Sequence, residues 1–181
     1  MVWNETVEGT YVRLRAAQID DARFTHEIRQ DKEKTRYIHP VNGSWKDQEE
    51  WLRRQQEREG DYFFIVETKE GTPIGTTSVY DIRGDEGEGG RILLNGSPVQ
   101  NVEATMLGYD FAFYVYGLKK LWLTVHEESI HVQGYVKKFG AKEEYRKYSD
   151  ELQADLIYYV VTEERYNKKK QRIMKMIELL A

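Results

Sequence analysis

The sequence predicts an α/β fold built on a mixed, mostly antiparallel sheet flanked by helices. Three observations carry this expectation. Residues 62–82 hold two β-branched and aromatic runs joined by a short turn, which argues for an antiparallel hairpin. A strand–helix–strand step spans residues 91–125, which argues for one parallel pair. Along the whole chain the hydrophobic period switches between about 2 and about 3.6, in the order β-α-α-β-β-β-α-β-α-β-β-α.

Val7 to Arg15 alternates and carries β-branched residues, as a strand does. Asp20 and Asp21 stand at a helix N-cap position before Phe24 and Ile28. A second helix starts near Ser44, with Asp47, Glu49 and Glu50 in its first turns, where the helix dipole favours acids. It continues through Trp51 and Leu52 to about Glu59. Tyr62–Val66 and Ile74–Ile82 are the hairpin strands, with Lys69–Thr72 as the turn.

Gly84 to Gly90 reads as a polar glycine-rich loop, and Arg91–Leu94 as a short apolar strand covered on both faces. The loop is not a phosphate-binding one, because such a loop opens into a helix and this one opens into a strand. The clearest helix start follows. Ser97 is the N-cap, Pro98 takes the first helical position and Gln100 completes a capping box. Val102, Met106, Tyr109, Phe113 and Tyr116 form one apolar stripe, closed by Gly117.

Leu121–Val125 is the next strand. Ser129 is expected to cap a helix whose inner face is Val132, Tyr135, Val136 and Phe139, ending at Gly140. Strands from about Glu143 to Lys147 and from Leu156 to Val161 complete the sheet. A last amphipathic helix, Glu163 to Leu180, presents Tyr166, Ile173, Ile177 and Leu180.

The 181 residues suit a single domain over residues 1–181, with 163–181 as its C-terminal helix. With 40% apolar and 32% charged residues, the chain can build a sizeable core. The net charge of −4 lacks the broad basic face that nucleic-acid binding needs. The run Lys168–Lys170 reads as a solvated helix face. There is no cysteine, which removes disulfides, thiolate metal sites and a Cys nucleophile, and fits a cytoplasmic protein. No signal peptide is expected from Met1–Glu5, and no apolar run approaches the ~20 residues that span a bilayer, so no membrane is expected as a partner.

Two features could carry chemistry. A strand end, a glycine turn and a capped helix meet in Leu94-Asn95-Gly96-Ser97-Pro98-Val99-Gln100-Asn101. The free N–H groups of a helix start bind phosphates, although any strand-to-helix turn needs such a cap. Glu88 lies at the mouth of the Arg91–Leu94 strand, where a carboxylate could face a cleft or simply be a solvated loop acid. His26, His39, His126 and His131 show no metal-binding spacing, and no metal is expected. His126 and His131 flank a strand-to-helix turn, where proton transfer is conceivable. No G-x-S-x-G elbow is present.

Taken in order, these segments resemble the GNAT acetyltransferase superfamily, particularly its ribosomal-protein alanine acetyltransferase branch. The resemblance spans residues 8–165. Thr10–Ala16 is similar to the opening strand, Pro73–Val79 to the third, and Glu88–Ile92 to a segment whose glutamate faces the amine. Glu103–Gly117 with Leu118–Val125 is similar to the long helix and fifth strand, and Ser129–Ala141 to the N-x-x-A-I-x-L-Y-E-K-x-G-F helix.

The resemblance implies acetyl-CoA as co-substrate, held between two splayed parallel strands. Leu93 and Leu94 would pair with pantetheine, and Asn95, Gly96, Ser97, Gln100, Asn101 and Ser129 would complete the cofactor site. Glu88 would be the base and Tyr135 the acid, while Tyr37, His39 and Trp45 would lie on the acceptor side, within a segment His39–Trp51.

The chain departs from the family at four points. Of the loop R/Q-x-x-G-x-G/A only Gly96 is present, without a basic residue. Ser129 replaces an Asn, the acid Tyr falls on Val136 with Tyr135 one place earlier, and Ala141 replaces the closing Phe. One residue turns a helical side chain by ~100°.

Two functions follow. The first is N-acetyl transfer to a primary amine on a small molecule or a peptide. The second is a non-catalytic acyl-CoA-binding or interaction module on the same fold. Candidate acceptors are a protein N-terminus, an amino-sugar nucleotide and an aminoglycoside, and Tyr37, Trp45 and Trp51 suit a sugar ring better than a peptide. The C-terminal helix is a candidate contact for a homodimer or another partner.

Overall fold

A computed structural model describes residues 2–39 and 42–181; Met1, Pro40 and Val41 lie outside the described residues, the last two within the segment expected on the acceptor side. The strands are β1 (Val7–Glu8), β2 (Val12–Ala16), β3 (Tyr62–Thr68), β4 (Pro73–Arg83), β5 (Glu86–Leu94), β6 (Lys120–His126), β7 (Lys142–Ser149) and β8 (Ala154–Thr162). The helices are α1 (Ala22–Ile28), α2 (Trp45–Glu57), α3 (Pro98–Asp110), α4 (Ile130–Lys138) and α5 (Glu163–Leu180). Among the described residues, eight strands form one sheet in the order β1-β2-β3-β4-β5-β6-β8-β7. Only β5 and β6 run parallel; the other neighbours are antiparallel. The expected α/β class and mixed sheet are therefore present.

Strand β3 is buried on both faces, and its alternation explains how. Phe63 and Ile65 face Ala17, Ala22 and Leu52, beneath α1 and α2. Tyr62, Phe64 and Val66 face the larger core of α3, α5 and the turn after α3. Each helix pair thus covers one side of the sheet.

The first predicted strand is broken in two. A buried carboxylate, Glu103 on α3, accepts the backbone N–H groups of Thr10, Tyr11 and Val12 at 2.8, 2.6 and 2.9 Å. Those donors are lost to the sheet, and β1 folds back on β2 with Val7 opposite Leu14. The Asp21 side chain does not cap α1. It is taken by the Arg15 guanidinium at 2.7 and 2.8 Å and by the Gln18 N–H. Ser44 does cap α2, in a reciprocal box with Asp47, and that helix ends at Glu57.

The predicted glycine-rich loop is mostly strand. Only Gly84 and Asp85 form the turn, and β5 already pairs at Glu86 with Arg83 and with Lys120. Glu86 is pinned there by Lys120 Nζ at 2.6 Å and Trp122 Nε1 at 2.8 Å. Gly87 and Gly89 alternate onto a face where a Cβ would come within 3.0 Å of Leu118 and of Leu123 respectively. The glycines serve close packing inside a strand, not flexibility. Ile92 is exposed, so the end of β5 is not covered on both faces.

Three further apolar assignments are corrected. Tyr116, Val132 and Leu180 are exposed, because each lies at a helix end or on the rim of its packed face. Helix α3 itself passes into a π-helical turn, Phe111–Val115, before Gly117 reverses the chain at φ +91°.

Candidate active site

Strands β5 and β6 pair through only three residue pairs, the last being Glu88 opposite Trp122. Beyond that point β6 continues to His126 on β8, while β5 continues to Leu94 on β4. The edge of β5 from Gly89 to Leu94 that faces β6 therefore has no strand partner. A bulge helps to open this gap. Between Thr76/Leu93 and Ser78/Gly90, β5 carries one extra residue, and Arg91 there has φ +52°. Bulges bend the strand that holds them and re-aim its side chains.

Glu88 stands where the strands part. Its Oε1 accepts the Tyr80 hydroxyl at 2.8 Å and the Thr124 hydroxyl at 3.4 Å. Burial pushes the Glu88 carboxyl above its ordinary value, while the Tyr80 hydrogen bond works against that shift. Glu88 lines a cleft of about 450 Å³ together with Leu93, Thr124 and His126. It is a strand residue inside a cleft rather than an acid at a loop mouth.

The turn after β5 satisfies itself. Asn95 N–H donates to Ile74 O at 2.8 Å. Gly96 N–H donates to Asn101 Oδ1 at 3.0 Å, and Asn101 Nδ2 returns a bond to Gly96 O. Ser97 N–H donates to Gln100 Oε1 at 2.9 Å, and Ser97 Oγ accepts from Gln100 N–H. Gly96 also lies where a Cβ would meet Ile74 and Gln100 within 2.9 Å. The predicted capping box is present, but the side chains of Gln100 and Asn101 occupy amides that a phosphate would otherwise take. Lys34, from the segment between α1 and α2, donates to Asn95 Oδ1. It brings to this turn the positive charge absent from the turn's own sequence, a pairing across 61 positions that no local motif signals.

Ser129 precedes α4 but forms no side-chain cap bond, because its backbone sits at ψ 60° instead of the extended value that a cap needs. Tyr135 turns toward α3. Its hydroxyl donates to Thr105 Oγ1 at 3.0 Å and to Asn101 O at 3.4 Å, and its ring packs on Phe139. It does not line the Glu88 cleft. His126 lines the cleft with Nδ1 accepting the Glu128 N–H, and His131 is exposed.

Of the residues expected on the acceptor side, Tyr37 packs at a tilt against His126, with ring centroids 4.9 Å apart and planes at 36°. His39 pairs with Glu151 at 2.7 Å, and its carbonyl accepts from Arg29 Nη2 at 2.6 Å. Both line the Glu88 cleft. Trp45 does not: it packs on the Leu52–Phe63 cluster beneath Arg23. Trp51 lines an adjoining cavity of about 400 Å³ with Arg29, Arg54 and Arg91. The two spaces share Arg29, His39 and Arg91.

Arg91 carries the order of this region. Its guanidinium grips Asp61 in a two-pronged bond of 2.6 and 3.0 Å and donates to Ser78 Oγ at 3.1 Å. It also lies 4.1 Å from the Tyr80 ring and 5.1 Å from that of Trp51. Arg29, Arg91, Tyr80 and Thr124 were absent from the sequence-derived site. Nothing local in the sequence distinguishes these residues from surface polar ones.

Among the described residues, no group of three His, Asp or Glu converges as metal ligands, and no helix is long and apolar enough to cross a membrane.

Comparison with known proteins places the fold in a family. The profile of the acetyltransferase (GNAT) domain matches residues 12–142. Apo FdhC, a nucleotide-linked sugar GNAT, superposes with a TM-score of 0.83 at 26% identity, covering 97% of this chain and 99% of its own. A GCN5-related N-acetyltransferase from Brucella melitensis superposes with a TM-score of 0.79 at 19% identity, covering 97% and 86%. Spermidine N-acetyltransferase from Vibrio cholerae, in complex with CoA and spermine, superposes at 0.76 and 19% identity, covering 88% and 99%. A search of curated protein sequences found no match.

Proposed function

This chain belongs to the GNAT acetyltransferase family, and on that footing we propose that it moves an acetyl group from acetyl-CoA to the nitrogen of a primary amine. One observation carries the reading. A carboxylate with a raised pKa, Glu88, stands at the point where β5 and β6 separate, beside a strand edge without a partner.

The residues fit the co-substrate. The unpaired edge of β5 at Gly89–Leu94 offers amides and carbonyls to a pantetheine arm, as a further strand would. The start of α3, with Lys34 beside it, suits a pyrophosphate once Gln100 and Asn101 swing aside. Acetyl-CoA supplies the activated thioester; this chain supplies position and a base.

An amine of pKa ~10 is protonated at neutral pH and has no lone pair to give. Glu88 takes that proton, directly or through one water; the freed nitrogen then bonds to the thioester carbonyl carbon, and the C–S bond breaks as the nitrogen's second proton passes to solvent or to the departing sulfur. Thr124 and Tyr80 hold the carboxylate in line. The Tyr135 hydroxyl could protonate the leaving thiolate only by giving up Thr105, so departure as the thiolate fits its geometry better.

The likeness to a nucleotide-linked sugar GNAT, with Tyr37 and Trp51 on the acceptor side, supports an amino sugar as acceptor. The resemblance to alanine acetyltransferases supports a peptide N-terminus as the second reading. Thiol release measured with amino sugars, peptides and polyamines decides between them. Glu88→Gln should lower turnover about 100-fold, with acetyl-CoA affinity unchanged. Full turnover in that variant would remove Glu88 as the base.

A further inference from the structure

Among the described residues, Arg29 has no carboxylate partner. Its Nη2 donates to the His39 carbonyl, and its Nε–H is the one buried side-chain nitrogen or oxygen without a partner among the described residues. A buried donor left in that state is unfavourable, and more so on a charged group. Burial, together with the nearby Arg91, pushes the guanidinium below its ordinary pKa, so the fold holds this cation at a cost. Arg91, the neighbouring cation, is neutralised by Asp61. Arg29 is not. It lines both the Glu88 cleft and the adjoining 400 Å³ cavity.

That second cavity carries Arg29, Arg54 and Arg91 against a single acid, Asp47. The Asp47 carboxylate is already bonded to the Ser44 N–H and hydroxyl. Arg54 extends into solvent with only a loose 3.8 Å approach to Glu50. Trp51 forms an apolar wall, and Gln48 adds a polar group. An anion entering here would meet the Arg29 guanidinium, which no described carboxylate neutralises, and at the rim the loosely paired Arg54.

We propose that this cavity is an anion seat built on Arg29, and that the amine acceptor carries a phosphate or diphosphate group which binds there while its amino nitrogen reaches Glu88. The proposal rests on the acetyl-transfer reading for the amine and on the cavity alone for the anion. Guanidinium forks match phosphate oxygens in geometry and charge. A polycationic amine meets the opposite field, repelled by Arg29 and Arg54, and is excluded as the preferred acceptor.

The test uses inorganic diphosphate as the probe, titrated by calorimetry into protein held in saturating acetyl-CoA, so that the turn at Asn95–Asn101 is already occupied. Wild type should bind it. Arg29→Gln should bind it at least about tenfold more weakly, on the order of one lost charge-assisted hydrogen bond. Arg29→Lys should recover part of the loss, and Arg54→Gln, altered at an exposed residue, should weaken binding about threefold. Thermal melts confirm that each variant folds.

The seat is overturned if loaded wild type ignores diphosphate, or if Arg29→Gln binds it as tightly as wild type. It is also overturned if spermidine is acetylated faster than phosphorylated amino sugars. Absence of thiol release with every amine would sink the acetyl-transfer reading instead, and would leave the Arg29 titration to be judged on its own.

Discussion

The hydroxyl of Tyr80 donates to the carboxylate of Glu88 at 2.8 Å, from facing positions on adjacent strands. The contact opposes the rise in the Glu88 pKa that burial causes. Tyr80→Phe removes the donor and keeps a ring under Arg91. The acid limb of the kcat/KM–pH profile should therefore move to higher pH, because Glu88 must be ionised to accept a proton. A pH–rate profile of the variant beside wild type checks this; an unmoved limb would mean that the limb reports another group.

Glu88→Gln should raise stability while it lowers turnover. The folded-state pKa of Glu88 is above its ordinary value. Such a carboxyl favours folding when protonated, below its unfolded pKa, and that contribution disappears as pH rises through the folded pKa. At neutral pH the ionised group works against the fold, and a neutral amide does not. Melts at pH 4 and pH 8 should show the variant's advantage only at the higher pH.

Acetyl-CoA at about one hundred times its Kd should stabilise the chain by ~2.7 kcal/mol, a shift that a thermal melt resolves. Ser97→Ala should cost about 1 kcal/mol of stability, since Oγ accepts the Gln100 N–H at the start of α3. If the variant loses stability but keeps its full shift with acetyl-CoA, the cap is structural and the turn is not the pyrophosphate site.

Tyr135→Phe should cost about 1 kcal/mol of stability and leave kcat within about threefold of wild type. The hydroxyl ties α4 to α3 through Thr105 and lies outside the Glu88 cleft. A loss of kcat near 100-fold, with stability untouched, would assign Tyr135 to thiolate protonation.

Glu103→Ala should cost at least about 3 kcal/mol, because three N–H groups at the start of β2 would lose their acceptor. Chemical denaturation checks it, and a loss below 1 kcal/mol would mean that water replaces the carboxylate.

Local rules within the sequence determined most of the scaffold. The Ser44 and Ser97 boxes, the 62–82 hairpin and the strand–helix–strand step depend on residues within a few positions of one another, so period and capping chemistry suffice to read them. The same order of segments carries the acetyltransferase resemblance and the expectation of a carboxylate at Glu88 facing the amine. The glycine-rich stretch is strand and not the expected loop because Gly87 and Gly89 are demanded by Leu118, Leu121 and Leu123, which approach only when the sheet closes. The Glu86-Gly87-Glu88-Gly89 alternation was the available signal of a strand. Tertiary structure alone decided the rest: Lys34 reaching Asn95, Arg91 gripping Asp61, Trp51 rather than Trp45 lining the cavity beside the Glu88 cleft, and Arg29 Nε left without a partner among the described residues. Each depends on which side chains from distant parts of the chain the closed fold brings together; at the half-buried Arg91 and Arg29, pairing and desolvation outweigh any local preference.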